Sequence, residues 1–242
     1  KMLAGTQGNV DAKVFQDAGC IVGVNNASFE VFQGEMLVVM GLSGSGKSTL
    51  LRCISKLTHA TAGRIFIDGQ DLLAMNNKQL IELRRSKMGM VFQSFALLPH
   101  KTVVENIAFP LQIKGMSTEE SIKRAMEMVE LVGLMGRENY FPRQLSGGQQ
   151  QRTAICRALL QGGDAVLADE PVSAADNHQS RVILEGLSEY FETSVLAMHD
   201  VDLALEYSTR IIGIKDGVIA LDMPSEELTQ QNLDFLYKET EK

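Results

Sequence analysis

A glycine-rich segment of nine residues constrains the fold of this chain more than any other feature. It reads Gly41, Leu42, Ser43, Gly44, Ser45, Gly46, Lys47, Ser48 and Thr49. The apolar residues 36–40 before it predict a buried strand, and Leu50, Leu51 and Ile54 after it recur at helical spacing. The order of strand, glycine loop and helix is typical of a phosphate-binding turn. We therefore expect this part of the chain to fold around an anion.

The residue types in this loop indicate which anion it takes. Glycines let backbone N–H groups turn toward one point, the helix N-terminus adds a partial positive charge, and Lys47 adds a full one. The Ser48 hydroxyl is then expected to face Mg²⁺, which bridges terminal phosphates and offsets their charge. The loop thus predicts a nucleotide polyphosphate, against the alternative of a flexible glycine loop without a ligand. Kinases, GTPases and motor ATPases share such a loop, so it does not identify the reaction.

Length, charge and cysteine content exclude several classes of protein. The chain has 242 residues, 45% of them hydrophobic, which is enough for a substantial core. No run approaches the roughly 18 apolar residues of a membrane helix, and residues 1–5 do not resemble a secretory start. Cys20, Cys53 and Cys156 are widely spaced, which suits a reducing compartment and disfavours a zinc site. A net charge of −7 disfavours nucleic acid as a partner, so we expect a cytoplasmic protein.

Short apolar runs in the first half predict a small antiparallel sheet and a helical lobe. The runs near Val31, at residues 65–67 and at residues 88–92 are assigned to the small sheet. Residues 117–132 predict a helix that opens with Ser117 and Glu120 as a capping box. Its periodicity indicates that Ile122, Met126 and Val129 are buried. We expect the helical subdomain to occupy about residues 94–150 of a single domain.

The second half alternates strands and helices. Residues 165–168 and 194–198 read as buried strands, and the helix between them carries Ile183 and Leu187. This β-α-β order implies a parallel sheet. Residues 211–221 read as a hairpin that turns at Asp216 and Gly217. Together these patterns predict an α/β fold, with a mainly parallel sheet in the core, a small antiparallel β subdomain and a helical subdomain.

Two adjacent carboxylates, Asp169 and Glu170, follow the first of these buried strands. Ligands of open parallel sheets bind at the carboxyl ends of the strands. Because side chains alternate along a strand, one carboxylate is expected to reach the Mg²⁺ shell and the other to act as a general base toward water. The alternative is a strand-end pair that only leads into the turn at Pro171.

Two further polar residues stand at strand ends. His199 follows the second buried strand and is a candidate to contact a γ-phosphate or position water, against the alternative of a structural histidine. Gln93 follows residues 90–92, and its neutral amide can ligate Mg²⁺ without adding negative charge. It also marks the exit from the core to the helical lobe.

A second phosphate-binding device is predicted where another helix begins. It consists of Leu145, Ser146, Gly147, Gly148 and Gln149, followed by a helix with Ala154, Ile155 and Ala158 on one face. Two glycines expose backbone N–H groups and Ser146 offers a hydroxyl. The two devices either hold two anions or complete one another's site across a two-fold dimer.

These motifs, in this order, resemble the ATP-binding subunit of an ABC transporter. They are GLSGSGKST, Gln93, LSGGQ, AVLADE and His199. The resemblance covers nearly the whole chain. It implies a P-loop NTPase core of the RecA-like type. It also implies a head-to-tail homodimer in which two ATP molecules lie between the phosphate loop of one subunit and Ser146, Gly147, Gly148 and Gln149 of the other.

The resemblance also assigns a role to each site residue. Lys47 and its loop hold the phosphates, while Ser48 and Gln93 ligate Mg²⁺. Asp169 supports the metal through water, Glu170 polarises the attacking water, and His199 senses the γ-phosphate. Residues 173–176 link the two sites of the dimer. The implied reaction is ATP hydrolysis with ATP and Mg²⁺ as cofactors.

The glutamines after LSGGQ and the absence of membrane segments resemble bacterial importers. The resemblance then implies separate membrane permease subunits, an indirect periplasmic or extracellular solute-binding protein, and a peripheral place on the cytoplasmic face of the membrane. Residues 94–100, an apolar stretch, are expected to form with the helical lobe the groove that receives a permease helix.

The substrate class and two departures from the family pattern complete the expectations. Residues 19–24, FQSFALLPH and GRENYFPRQLSGG resemble quaternary-amine (betaine) uptake ATPases, whereas LADEP and MHDVDLALEYSTRIIGIKDG resemble phosphonate-uptake ATPases. We favour the betaine type, since the lobe that faces the permease lies in the part of the chain that resembles the betaine uptake ATPases.

The family usually places an aromatic side chain that stacks on adenine at a set distance before the phosphate-loop lysine. Here Phe15 lies slightly before that position, and the nearer positions are Ala18, Ile21 and Val22. Ala175 stands where the family usually has a leucine, and the smaller side chain predicts a looser dimer and modest ATP hydrolysis.

The alternative class for the whole protein is a soluble ABC ATPase that works on DNA or ribosomes.

Overall fold

The structure is a computed structural model that describes residues 19–238. The strands are β1 (Met36–Met40), β2 (Phe66–Ile67), β3 (Gln70–Asp71), β4 (Met88–Val91), β5 (Ala165–Asp169), β6 (Thr193–Ala197), β7 (Arg210–Lys215) and β8 (Val218–Pro224). The helices are α1 (Lys47–Ile54), α2 (Asn77–Ser86), α3 (Val103–Ile113), α4 (Thr118–Leu131), α5 (Gly147–Gln161), α6 (Asn177–Tyr190), α7 (Val201–Tyr207) and α8 (Gln230–Tyr237). Short 3-10 turns occupy Pro142–Gln144 and Ser225–Glu227. The described residues form two compact units, 19–80 with 199–238, and 81–198.

The first unit is built on strand β1, which is buried along all five residues. β1 runs parallel to β7, with Val38 opposite Ile211, and β7 pairs antiparallel with β8. A strand buried on both faces gains from apolar residues at every position, which explains the unbroken apolar run. The small sheet of this unit, β2 with β3, turns at Asp68 and Gly69.

The second unit contains a parallel ladder in which β4 pairs with β5 and β5 with β6. Helix α3 packs against α4 and α5, and α5 also packs against α6. Ile107, Ile155 and Leu184 are among its fully buried side chains. The structure therefore confirms the predicted α/β fold with a mainly parallel sheet, the hairpin at 211–221, and the helices at 117–132 and between the buried strands.

Three details of the sequence-based assignment are wrong. Residues 88–91 form β4 in the parallel ladder, not a strand of the small antiparallel sheet, and Val31 lies outside the strands. On α4 the buried side chains are Ser121, Ala125, Met128 and Val129, whereas Ile122 and Met126 are only half-buried. These four residues lie three or four positions apart, on one face of the helix, and the helix packs against α3.

Within residues 19–238, no helix combines the length and the apolar character that crossing a membrane requires.

Candidate active site

The glycine loop lies between the end of β1 and the first turn of α1. Gly41 has φ 145° and Gly46 has φ 112°, both in the region that disfavours other residues. A Cβ on Gly41 would lie 2.1 Å from the Ile214 carbonyl oxygen, and one on Gly46 would lie 2.1 Å from the Gly23 oxygen. Backbone from two other segments thus touches the loop, so glycine is required at both positions by close approach as well as by φ.

The loop presents positive charge and an unsatisfied hydroxyl at a helix N-terminus. Among the described residues, no side chain caps α1, whose N-cap is Gly46. Lys47 is 5% exposed, and its Nζ donates to the carbonyl oxygens of Gly41 at 2.8 Å and Leu42 at 3.0 Å. The buried Ser45 Oγ finds no hydrogen-bond partner in the described part of the chain. Buried polar atoms are normally paired, so this combination fits an anion with several acceptor oxygens.

The β7–β8 hairpin braces the same loop, a contact that the sequence reasoning missed. The Gly217 N–H donates to the Ser45 carbonyl oxygen at 3.0 Å, and the Asn25 N–H donates to the Gly217 oxygen at 2.7 Å. Asp216 and Gly217 both have positive φ, as a tight hairpin turn requires. The turn signal at 216–217 was readable in the sequence, but its position against the loop was not.

In the second unit, Asp169 and Glu170 occupy the end of β5 as predicted. They are 5% and 9% exposed. Glu170 has φ 57°, a left-handed conformation that is unfavourable for a residue with a Cβ and that is found mainly where surrounding contacts enforce it. Its N–H donates to the Ala197 carbonyl oxygen at 3.0 Å. The strand alternation that predicted two directions for the two side chains therefore does not extend to Glu170.

A glutamine that the sequence analysis did not single out holds the segment after Glu170. Gln151 on α5 is 1% exposed. Its Nε2 donates to the Glu170 carbonyl oxygen at 3.0 Å, and its Oε1 accepts from the Ala174 N–H at 3.1 Å. Three glutamines stand in a row at 149–151, and only the packing distinguishes the buried one.

The second predicted phosphate-binding device is already capped by its own side chains. Ser146 is the N-cap of α5: its Oγ accepts from the Gln149 N–H at 3.3 Å, and Gln149 Oε1 accepts from the Ser146 N–H at 2.9 Å. A Cβ on Gly148 would lie 2.7 Å from the Ala174 carbonyl oxygen, while one on Gly147 would meet only the Ala174 Cβ at 3.9 Å. Gly148 thus permits the loop at 173–176 to approach the start of the helix.

Gln93 is exposed and precedes a strained turn. Phe95 and Ala96 have φ values of 60° and 48°. Arg157, on α5, donates to the Phe95 oxygen at 3.0 Å and to the Ala96 oxygen at 2.7 Å, and burial lowers the pKa of its guanidinium. A pocket of about 370 Å³ is lined by Pro99, His100, Phe141 and Arg143.

The remaining predicted residues fall in both units. His199 is exposed and precedes Asp200, which caps α7 through the Leu203 N–H at 3.0 Å. The first unit holds the glycine loop and His199, and the second holds Gln93, Asp169, Glu170 and residues 146–149. Within 19–238 there is no cluster of three His, Cys, Asp or Glu residues suited to a metal. Of the adenine-contact candidates, Phe15 and Ala18 lie outside the described residues, and Ile21 is 98% exposed.

Comparison with known proteins gives matches over most of the chain. Residues 24–173 match the profile of the family described as ABC transporter. The trimethylamine N-oxide transport system ATP-binding protein of Pelagibacter ubique (strain HTCC1062) is 63% identical over 246 residues, which cover 100% of this chain and 72% of that protein. The glycine betaine transport ATP-binding protein of Bacillus subtilis (strain 168) is 42% identical, covering 98% of this chain and 58% of that protein.

A solved structure gives an independent match. It is the dimeric post-hydrolysis state of the ATP-binding cassette MJ0796 bound to ADP and Pi. The TM-score is 0.80 at 38% sequence identity, and the match covers 86% of this chain and 93% of the other.

Proposed function

This chain belongs to the ABC transporter family as an ATP-hydrolysing subunit, and we propose that it powers the import of a small methylated amine such as trimethylamine N-oxide or a betaine. The observation that carries the substrate class is the 63% identity, over the whole chain, to a protein named for trimethylamine N-oxide transport. The betaine relative supports the same class, because both solutes are small, net-neutral molecules with a methylated nitrogen and a negative oxygen.

ATP is proposed to bind at the glycine loop through residues 41–49. The buried Lys47 ammonium would supply donors for the phosphate oxygens, as would the Ser45 hydroxyl and the start of α1, which have no side-chain partner or cap within residues 19–238. We propose Ser48, Gln93 and Asp169 as the ligands of Mg²⁺, directly or through water. A hydroxyl, an amide oxygen and a carboxylate suit this ion, which prefers oxygen donors and keeps several waters. The ion would offset charge on the terminal phosphates.

Hydrolysis is proposed to depend on Glu170 as general base and on His199 as the γ-phosphate contact. The nearly buried Glu170 carboxylate stands beside Asp169, and the strain at Glu170 is typical of residues held in place for a functional reason. In the proposed head-to-tail homodimer, Ser146, Gly147, Gly148 and Gln149 of the second subunit would cover the nucleotide. The relative solved as a dimer with ADP and Pi supports a dimeric state for the proposal.

The permease is proposed to dock at residues 94–100 and the adjoining helical lobe, on the cytoplasmic face of the membrane. Asn106, fully buried, donates to the Leu98 oxygen at 3.1 Å and accepts from its N–H at 2.7 Å, so this segment has a defined shape. Pro99 and His100 line the pocket of about 370 Å³. This open pocket, lined also by Phe141 and Arg143, offers apolar and polar contacts to a partner segment.

A reconstitution experiment tests the proposal. The tagged full chain is purified from its native membranes, the co-purifying permease is identified, and the complex is placed in liposomes with its solute-binding protein. We expect trimethylamine N-oxide or glycine betaine, but not methylphosphonate, to stimulate ATP hydrolysis. If only methylphosphonate stimulates ATP hydrolysis, the transported substrate is a small anion and not a methylated amine. Co-purification of ribosomes or nucleic acid without a membrane protein would overturn the import function.

A further inference from the structure

Gln151 differs from the other glutamines near the start of α5 because it is buried and uses both ends of its amide. Gln149 is engaged in the helix cap, and Gln150 donates to the Leu145 carbonyl oxygen at 3.2 Å within its own segment. Gln151 instead reaches a different element, the segment that follows β5. The role of a fully buried polar side chain is set by the groups that it pairs with.

Those groups fix the backbone of Glu170. The Glu170 carbonyl oxygen accepts from Gln151 Nε2 at 3.0 Å and from the Ser173 Oγ at 3.1 Å, and the Glu170 N–H donates to Ala197. A left-handed conformation costs a residue with a Cβ on the order of 1 kcal/mol, so it persists only where the surroundings enforce it. The hydrogen bonds to both peptide groups of Glu170 are the contacts that enforce it here.

We propose that Gln151 is a positioning residue for the Glu170 carboxylate. It acts through the backbone: by holding the Glu170 carbonyl and the Ala174 N–H at once, it sets the direction from which the side chain meets the attacking water. This inference rests on the proposed function, in which Glu170 is the general base. Because α5 also begins at Ser146, one helix connects the surface that would cover a nucleotide with the carboxylate of its own subunit.

The chemistry at this position requires a glutamine. The side chain must donate to one backbone group and accept from another, four residues apart in the chain. A glutamate of the same shape keeps only the acceptor and places a negative charge against the Glu170 carbonyl. A leucine of similar volume offers neither, so the Ala174 N–H loses its Gln151 acceptor and the Glu170 carbonyl keeps only its hydrogen bonds from Ser173.

The test compares Q151L and Q151E with Q161L in the full chain. Gln161 is a matched control at the other end of α5, where its Nε2 donates to the carbonyl oxygens of Arg84 at 2.8 Å and Met88 at 2.9 Å. We expect kcat for ATP hydrolysis to fall about 10- to 100-fold in both Gln151 variants, with KM within about threefold of wild type. Q161L should keep the wild-type kcat even if it melts at a lower temperature.

A double mutant separates positioning from general damage. If Gln151 acts through Glu170, Q151L should lower the residual single-turnover rate of E170Q by less than about twofold, because the group that it positions is already gone. S173A removes the exposed Ser173 hydroxyl, which donates to the Glu170 carbonyl, and keeps the donor from the Ser173 N–H at 3.4 Å. We expect a smaller fall in kcat, about 3-fold, in a protein that folds normally.

The outcomes are distinguishable. A wild-type kcat in Q151L or Q151E, beside inactive E170Q, would overturn the positioning role and leave the proposed function intact. Additive losses in the double mutant would overturn it as well. If Q151L does not fold, Q151E decides by the same criteria, alone and combined with E170Q. Wild-type protein without ATPase activity, or E170Q with full activity, would overturn the proposed function and this inference with it.

Discussion

The N-termini of α1 and α5 were both predicted to bind phosphate, but they differ in how their backbone N–H groups are satisfied. At α1 no side chain within the described residues forms a cap, a buried lysine lies in the turn, and the Ser45 hydroxyl is unpaired. At α5 the Ser146 hydroxyl and the Gln149 amide cap one another's backbone N–H groups. Among the described residues, side chains cap the second helix start and do not cap the first.

The difference in capping predicts different roles for the two helix starts: one binds the nucleotide, and the other covers a nucleotide that is already bound. A buried ammonium with an uncapped helix start can bind a polyphosphate within a single chain. At the capped start of α5, the Arg152 guanidinium beside Gly148 already donates to Gln179, and the partial charge of the helix contributes about 0.3–1 kcal/mol at an exposed site. We therefore expect nucleotide affinity to reside in the α1 loop, and α5 to act only on a nucleotide that is already bound.

Removal of the charge in the α1 loop should have the largest effect. We expect K47A to weaken ATP binding by the isolated chain by about 100-fold, since hydrogen bonds to charged groups contribute about 1.5–3 kcal/mol each. Titration calorimetry with ATP and Mg²⁺ measures it. K56A is the control, because Lys56 also donates to backbone carbonyls, those of Leu72, Leu73 and Met75, but lies outside the loop. Near-normal affinity in K47A would contradict the assignment of affinity to α1.

Replacing a glycine at the start of α5 by alanine should have the next largest effect, and the quantity that changes is the free energy of unfolding. We expect G148A to lower the free energy of unfolding by about 1–3 kcal/mol, because its Cβ would lie 2.7 Å from the Ala174 carbonyl oxygen. G147A meets only the Ala174 Cβ at 3.9 Å, so it should be neutral or stabilise by up to about 1 kcal/mol. Urea denaturation of both variants gives the comparison. Equal stabilities would show that the loop at 173–176 gives way without cost.

Loss of the cap itself should have a moderate effect. We expect S146A to lower the free energy of unfolding by about 1 kcal/mol, the usual contribution of an N-cap side chain. The affinity of the isolated chain for ATP should change by less than about twofold, since α1 provides the binding. The same denaturation and calorimetry report both quantities. A clear loss of affinity in the monomer would show that α5 binds nucleotide within its own chain.

Replacing Ser45, the serine in the loop before α1, by alanine should have the smallest effect. It should raise the free energy of unfolding, whereas S146A lowers it. Ser45 Oγ is buried without a partner in the described residues, so S45A should raise the free energy of unfolding by about 0.5–1 kcal/mol. The same variant should weaken ATP binding by about 3-fold, because it removes the proposed hydrogen bond from the hydroxyl to a phosphate oxygen. A destabilised S45A protein would mean that the hydroxyl is satisfied in solution without nucleotide.

Some elements of the fold could be predicted because their signals are local. Strand β1 is a continuous apolar run, β5 and β6 contain the apolar runs 165–168 and 195–197, and the hairpin turn at Asp216 and Gly217 has its own conformational signal. Residues 88–91 were recognised as a strand but assigned to the wrong sheet. The partner of a strand depends on contacts far along the chain, such as Met88 with Ala165, and no local pattern specifies them.

The candidate site divides in the same way. The glycine loop, Asp169 with Glu170, and the segment at 145–149 were found from residue types and spacing. The strain at Glu170, its hydrogen bonds to Gln151 and the support of the loop by Gly217 were not. Each of these joins residues that are at least 19 positions apart or depends on a backbone angle that glutamate rarely adopts.

The sequence by itself determined the chemistry of this protein: a lysine-bearing glycine loop, paired carboxylates at a strand end and a second glycine-containing helix start. These follow from residue types at short spacing, and short spacing fixes local backbone geometry. Only the tertiary structure decided which helix start is open to an anion and which glutamine holds the Glu170 carbonyl. Those outcomes depend on which polar groups become buried together, and burial is a property of the packed chain.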